Sequence, residues 1–324
     1  MVKDAFAAGL WVFAHSVEKH GGYDSAISVR EQIRLAASVP GLKGVELIAP
    51  AHVSRDNLKE VKNWLDEYGL TAVAVNPYLW SEEIWQRGAF TSPEAKVRRA
   101  AIDTGKLAVE IGHELGTRKM CLWPGEDGWD YHFQADYRQL WDWEAEAVRE
   151  IAEYDPQTLV GIEYKHNEPR THMLVSNAAK AALLGYELGL ANVGAYLDFG
   201  HALMSREIPA ETAAMLMRVK RLVGVHVNDT YGTGDDDLAV GAVSFWSILE
   251  FLLELERSGY AGWLTLDLVP KRESAVAACA RSISNLKNYQ KLVDKIDLNA
   301  LKAAQAEQDA METQRLVQDL LANL

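Results

Sequence analysis

Four residues of metal-ligand type, Glu163, Asp198, His226 and Asp267, follow one another at separations of 35, 28 and 41 residues. Each sits where a short apolar run gives way to polar sequence: Gly-Ile-Glu163-Tyr-Lys165, Leu-Asp198-Phe-Gly-His201, His226-Val-Asn228-Asp229 and Leu-Thr-Leu-Asp267. Three carboxylates drawn together without a cation repel one another or take up protons, and a divalent ion with mostly oxygen ligands removes the conflict. A second cluster lies beside the first. Asp198 to His201 is an i, i+3 spacing that turns both side chains the same way, and the acidic run Gly234-Asp235-Asp236-Asp237-Leu238 follows soon after His226. Asp235 and Asp237 alternate toward a second cation with His201, while Asp236 faces water and Asp198 is placed to bridge the two ions. A pair of ions in one site clamps two neighbouring oxygens of a bound molecule.

These residues need elements that deliver them to one point. Eight continuous apolar runs recur along the chain: Ala8–Phe13, Gly44–Ile48, Thr71–Pro77, Lys119–Trp123, Leu159–Tyr164, Val193–Asp198, Val223–Val227 and Trp263–Val269. Continuous rather than alternating runs suit strands covered on both faces, and each is followed by a helix-like pattern. Arg55–Tyr68 opens at Ser54 and stops at Gly69; Pro93–Leu115 opens after Ser92 and stops at Gly116. Those are N-cap and left-handed C-cap residues at the expected places. The order is that of a (β/α)8 barrel. A doubly wound open sheet has the same alternation, but no strand-to-helix turn carries GxGxxG or GxxxxGK[ST]. In a barrel the chemistry collects at the C-terminal strand ends, which is where the four ligand-type residues fall.

The division expected from the pattern is a barrel domain over residues 1–292 and a C-terminal helical arm over 293–324. The tail from Leu298 has no Gly or Pro and carries an apolar stripe of Leu298, Leu301, Ala304, Leu316, Leu320 and Leu321. Such a helix is marginal alone in water and must dock on something.

Composition narrows the partners. The 324 residues hold 33 Lys+Arg against 46 Asp+Glu, a formal net charge of −13. A surface this acidic repels phosphate backbones and anionic headgroups, so neither nucleic acid nor a membrane is an expected partner. No apolar run is long enough for a membrane span, and the N-terminal residues lack the order of a signal peptide, which places the expectation in the cytoplasm. The two cysteines, Cys121 and Cys279, lie in apolar stretches without ligand-like spacing and read as buried thiols.

Longer strings carry a family resemblance. Ile-Glu163-Tyr-Lys165-His-Asn167-Glu168-Pro169-Arg170, Asn76-Pro-Tyr-Leu-Trp80 with Gly88-Ala-Phe-Thr-Ser92-Pro, Leu122-Trp123-Pro-Gly125-Glu-Asp-Gly128, and Asp267-Leu-Val-Pro270-Lys-Arg272 together resemble xylose isomerase. His226-Val-Asn228-Asp229 followed by Gly234-Asp-Asp-Asp-Leu238-Ala-Val-Gly241 is similar to the L-rhamnose isomerase branch of the same superfamily. The resemblance implies a TIM barrel holding two divalent ions (Mn, Mg or Co) and interconverting an aldose and a ketose by a hydride shift in an open-chain sugar. It implies that Glu163, Asp198, His226 and Asp267 form the substrate-anchoring ion site and His201, Asp235 and Asp237 the catalytic one. By the same likeness Lys165 polarises the carbonyl oxygen, Trp11 and Trp123 wall off the reacting carbons, and the C-terminal arm packs across a neighbouring subunit of a homo-oligomer, dimer or tetramer. His15, just past strand one, lies within reach of substrate. The match departs at strand two, which ends Val45-Glu46-Leu47-Ile48-Ala-Pro50, with His52 only later in the loop where xylose isomerases carry a ring-opening histidine. Two other classes compete: a keto-sugar 3-epimerase or single-metal lyase acting on a keto-glycoside, with Asp235 and Asp237 as loop residues, and a phosphodiesterase of the endonuclease IV type, which the charge disfavours.

Overall fold

The computed structural model describes residues 5–14 and 25–322; His15 lies outside the described residues. Eight parallel strands carry the architecture: β1 (Phe6–Gly9), β2 (Leu42–Ala49), β3 (Thr71–Pro77), β4 (Lys119–Leu122), β5 (Leu159–Glu163), β6 (Val193–Asp198), β7 (Leu222–Val227) and β8 (Leu264–Leu266). Their hydrogen-bonded order is β3-β2-β1-β8-β7-β6-β5-β4, so successive strands pair except β3 with β4, and β8 returns to β1. The seam between β3 and β4 is crossed by side chains: Asn76 Oδ1 accepts from Cys121 N at 3.0 Å and Thr117 Oγ1 donates to Val73 O at 2.9 Å. Helices lie between the strands, and the result is a nearly closed (β/α)8 TIM barrel.

The apolar runs become strands because helices cover one face and the barrel interior fills the other, so β3, β5 and β6 are buried almost throughout. The first run behaves differently. Its strand is Phe6–Gly9, and Leu10–Phe13 form a 3-10 turn that buries Leu10, Val12 and Phe13. A continuous apolar run has no periodicity to separate a buried strand from a buried turn. Helix Leu58–Tyr68 starts later than Ser54, because Asn57 Oδ1 takes the Ser54 amide at 2.7 Å and holds the preceding turn. Its C-terminal end is as expected, with Gly69 left-handed at φ 68°. The other helix is Ala95–Glu114, followed by Gly116 at φ 83°.

Two features have no counterpart in the sequence reading. Gly128–Trp129, Thr171–Met173 and Asn167–Glu168 form a small antiparallel sheet over the mouth, joining the loops after β4 and β5. A short helix, Phe199–Met204, starts directly at the end of β6, with the Asp198 carboxylate capping the His201 amide at 2.8 Å. His52 turns inward: it is 7% exposed and Nδ1 accepts from the Ile48 amide at 3.1 Å. It holds the turn after β2 and does not line the mouth as a ring-opening residue.

The C-terminal helices Leu298–Ala306 and Ala310–Ala322 fold back on their own barrel. Leu301 and Ala304 are buried, and Leu316, Val317, Leu320 and Leu321 pack against the main core. Leu301, Ala304, Leu316, Leu320 and Leu321 of the apolar stripe thus find a seat on the chain's own barrel.

Two outcomes follow. Removing residues 297–324 should leave the mass by light scattering unchanged while lowering the urea midpoint, with a loss of at least ~2 kcal/mol for exposing the seat of Leu301; a smaller assembly with unchanged stability would contradict the intrachain docking. Burial lowers the His52 pKa from the ordinary imidazole value of 6.5 to about 4. The unfolded chain therefore binds the proton first, and the stability this neutral imidazole contributes is present above the unfolded pKa and lost as pH falls through the folded one. In the wild type that loss should reach about 3 kcal/mol and should be absent from His52→Gln. Urea unfolding of both proteins across this window checks it, parallel pH profiles being the contrary result.

Candidate metal centre and acid–base network

Parallel register sets the height of each ligand. Glu163 lies beside Tyr196, Asp198 beside His226, and His226 beside Thr265, with Asp267 two residues further along. Side chains that alternate along each strand thus point one carboxylate or imidazole from each of four neighbouring strand ends into the same space. One ligand atom from each of Glu163, Asp198, His226 and Asp267 lies within 4.8 Å of all the others. His226 Nδ1 is 3.0 Å from Glu163 Oε1 and 3.3 Å from Asp267 Oδ2.

The electrostatics show the strain of this arrangement. Burial pushes the Asp267 carboxyl well above the usual range; His226 pulls it back, and repulsion from Glu163 and Asp198 adds to the rise. Burial raises Asp198 in the same way, despite the nearby His201. Glu163 goes the other way, because the imidazole of His226 outweighs the cost of burial. Burial pulls the His226 imidazole down, and Glu163 and Glu46 outweigh it and push its pKa well above the ordinary range. A set that keeps a proton to balance its carboxylates is a set a divalent cation suits, and three oxygen donors with one imidazole match ions of the manganese or magnesium type. His201 gives a second sign of fit: its Nδ1 is buried, has no hydrogen-bond partner among the described residues, and faces the cluster at 3.6 Å from Glu163 Oε1 and 3.9 Å from Asp198 Oδ1.

His201, Asp235 and Asp237 are not brought together as a second ligand set. Among the described residues, the groups close enough to share an ion are the four above and Glu46, Cys121 and His226. Asp235 instead stands between His201 Nε2, at 3.3 Å from Oδ1, and Lys165 Nζ, at 2.5 Å from Oδ2. Lys165 also pairs with Glu168, and its side chain is 1% exposed. The two carboxylates hold a buried ammonium in place, so the salt bridge with Glu168 is real and coexists with a position at the site. Asp237 adopts φ 47° and accepts from Asn228 Nδ2 at 3.3 Å, the same amide that donates to Asp198 Oδ2 at 3.0 Å. Asp236 holds the loop through Thr230 and the Tyr231 amide, and Asp229 takes the amides of Val243 and Ser244.

The two tryptophans close the sides. Trp11 donates from Nε1 to Asp267 Oδ1 at 2.7 Å, so the turn after β1 fixes a ligand as well as supplying a wall. Trp123 carries Lys165 Nζ 5.3 Å from its ring centroid and stacks edge-on with Trp80 at 4.9 Å. Residues not assigned from sequence complete the floor. Cys121, buried as expected, donates its thiol to Glu163 Oε2 at 3.1 Å, and Glu46, fully buried on β2, meets His226 Nε2 at 3.2 Å. The available signal was Glu46 itself, a carboxylate inside the otherwise apolar run Val45–Ala49.

Comparison with known proteins agrees with the geometry. Over 274 residues the chain is 27% identical to a xylose isomerase of Thermus thermophilus, covering 79% of this chain and 70% of that one. A solved D-tagatose 3-epimerase-like protein superposes with a TM-score of 0.70 at 21% identity, covering 90% of this chain and 98% of that chain. A 3-keto-D-glucoside 4-epimerase from E. coli superposes at 0.66 with 16% identity, over 88% and 99%. The profile of the xylose isomerase-like TIM barrels matches residues 33–289, which takes in seven of the eight strands and all four clustered ligands, and the chain belongs to that family.

Proposed function

We propose that the protein is a metal-dependent enzyme that moves a proton at a carbon beside the carbonyl of a sugar, with epimerisation of a keto sugar as its reaction. The observation that carries this reading is His201: Asp235 sits at its Nε2, and its buried Nδ1, which has no hydrogen-bond partner among the described residues, lies beside the four-residue cluster. That is the arrangement of an oriented general base.

Glu163, Asp198, His226 and Asp267 would hold a divalent ion, which when bound would supply Lewis-acid polarisation of the carbonyl beside the proton to be removed. The chain's own residues do the rest. His201 Nδ1 takes the proton, while Asp235 keeps the imidazole in the tautomer that can accept it. Lys165 Nζ, fixed by Asp235 and Glu168, is a positive donor for the oxygen on which charge develops. Epimerisation is completed when a second acid delivers a different proton to the opposite face of the carbon, while return of the His201 proton to the adjacent carbon, with a proton passing between the two oxygens, completes an aldose–ketose exchange. Trp11 and Trp123 exclude water from the site while this happens.

A second reading is aldose–ketose isomerisation by hydride shift, with a second ion at His201, Asp235 and Asp237. The indole walls and the identity to a xylose isomerase favour it. Turnover in D2O separates the two: proton transfer washes deuterium into the product, and a hydride shift retains the substrate hydrogen.

With a sugar panel and Mn(II) or Mg(II), deuterium should appear at the reacting carbon. His201→Asn and Lys165→Met should each lower kcat by on the order of 10²-fold or more with little change in KM. Full activity in either, in folded protein, contradicts these roles. Chelation should abolish turnover and lower Tm, since an ion present at about 100 times its Kd adds roughly 2.7 kcal/mol to stability. Asp198→Ala should show neither effect of chelator, and a wild type free of divalent metal yet active would end the reading.

A further inference from the structure

The floor beneath the metal centre contains a hydrogen-bonded chain that the proposed chemistry does not use. His226 has two faces: Nδ1 is turned to Glu163 and Asp267, and Nε2 is turned the opposite way, to Glu46 Oε2 at 3.2 Å. Glu46 is fully buried, and both of its oxygens are taken. Tyr196 OH donates to Oε1, and Asn76 Nδ2 donates to Oε2 at 3.2 Å. Asn76 is itself fixed by the Cys121 amide, at 3.0 Å. The members come from β2, β3, β6 and β7, so the chain crosses the barrel interior from wall to wall.

A buried carboxylate in an apolar strand costs several kcal/mol unless it is paired and hydrogen-bonded, so such a residue must be held by its surroundings. The surroundings here are shaped for it. The Tyr196 ring, 2% exposed, stands where a Cβ on Gly224 would come within 2.3 Å of it and a Cβ on Gly161 within 2.8 Å. Two glycines on the neighbouring strands leave room for one aromatic ring, which packs tilted against His226, centroids 4.6 Å apart, and places its hydroxyl on Glu46. Ring and carboxylate together hold the plane of the imidazole.

We propose that Glu46 is the positioning residue of the metal centre: by accepting the Nε2–H of His226 it fixes the tautomer whose Nδ1 lone pair is presented to the cation, and Tyr196 and Asn76 fix Glu46. An imidazole ligand that donates its other N–H to a carboxylate is a stronger and better aimed donor, and losing such a partner lowers metal affinity by about 10- to 100-fold. The inference rests on the cation site of Glu163, Asp198, His226 and Asp267, but not on which sugar reaction occurs there.

The test is binding of Mn(II) alone to full-length wild type, Glu46→Gln and Tyr196→Phe, followed by calorimetry and by the free-ion paramagnetic signal. Folding of each metal-free protein is checked by circular dichroism. Glu46→Gln should bind about 10- to 100-fold more weakly, because an amide accepts a weaker bond and can equally turn its NH2 toward Nε2. Tyr196→Phe, which keeps the carboxylate and the ring, should fold and weaken binding in the same direction by less. With 15N-labelled histidine and diamagnetic Mg(II), the His226 proton should reside on Nε2 in wild type, with mixed tautomers in Glu46→Gln. A folded Glu46→Gln protein with wild-type affinity and an unchanged imidazole spectrum overturns the proposal. Should that variant not fold, Tyr196→Phe decides: wild-type affinity and an unchanged imidazole spectrum overturn it, and weaker binding supports it. Failure of the wild type itself to bind Mn(II) would instead remove the cation site on which the inference stands.

Discussion

Repulsion among Glu163, Asp198 and Asp267 is the constraint around which this barrel is organised. Their strands bring them together because parallel register leaves no other place for residues at those heights. A dry, like-charged cluster cannot simply be tolerated, and almost every neighbour answers to it. His226 sits among the carboxylates, Asn228 donates to one, Trp11 to another and Cys121 to a third. Burial, with repulsion from Glu163 and Asp198, holds the Asp267 carboxyl above its usual range, which is the signature of like charges drawn together. Burial makes the charge costly, and the same burial makes a bound ion effective, since a field acts more strongly where water is excluded.

The barrel and the convergence of Glu163, Asp198, His226 and Asp267 were legible because both rest on regular spacing. One strand and one helix per unit recur along the chain, and a residue at a strand end keeps its meaning whatever the loop does. Asp235 and Asp237 were harder to place. They sit in a loop, and alternation along an acidic run says nothing of which neighbour each will meet. Asp237 turns away through a left-handed backbone and finds Asn228, while Asp235 is drawn to an ammonium 70 residues earlier in sequence. Glu46 was visible but unassigned, since one carboxylate in an apolar strand signals burial without naming its partner. The small sheet over the mouth rests on pairings of two and three residues, too short for any pattern to register.

Lys165 illustrates how a structural pairing and a functional position can be the same thing. A buried ammonium needs carboxylates, and Glu168 and Asp235 provide them. Because Asp235 also touches His201, the cationic donor and the candidate base share one carboxylate, so neither can move without the other. The charge that stabilises the loop thereby fixes the distance between the groups that would handle the oxygen and the proton.

Asn76 joins two parts of the molecule that have no other reason to communicate. Its carbonyl oxygen closes the seam between β3 and β4, where strand-to-strand pairing gives way to a side-chain bridge, and its amide nitrogen braces Glu46 beneath the metal centre. Breathing of the barrel at that seam would therefore loosen the imidazole ligand. Loading the centre would in turn hold the seam shut, which makes the Cys121 amide a local gauge of occupancy through its rate of hydrogen exchange.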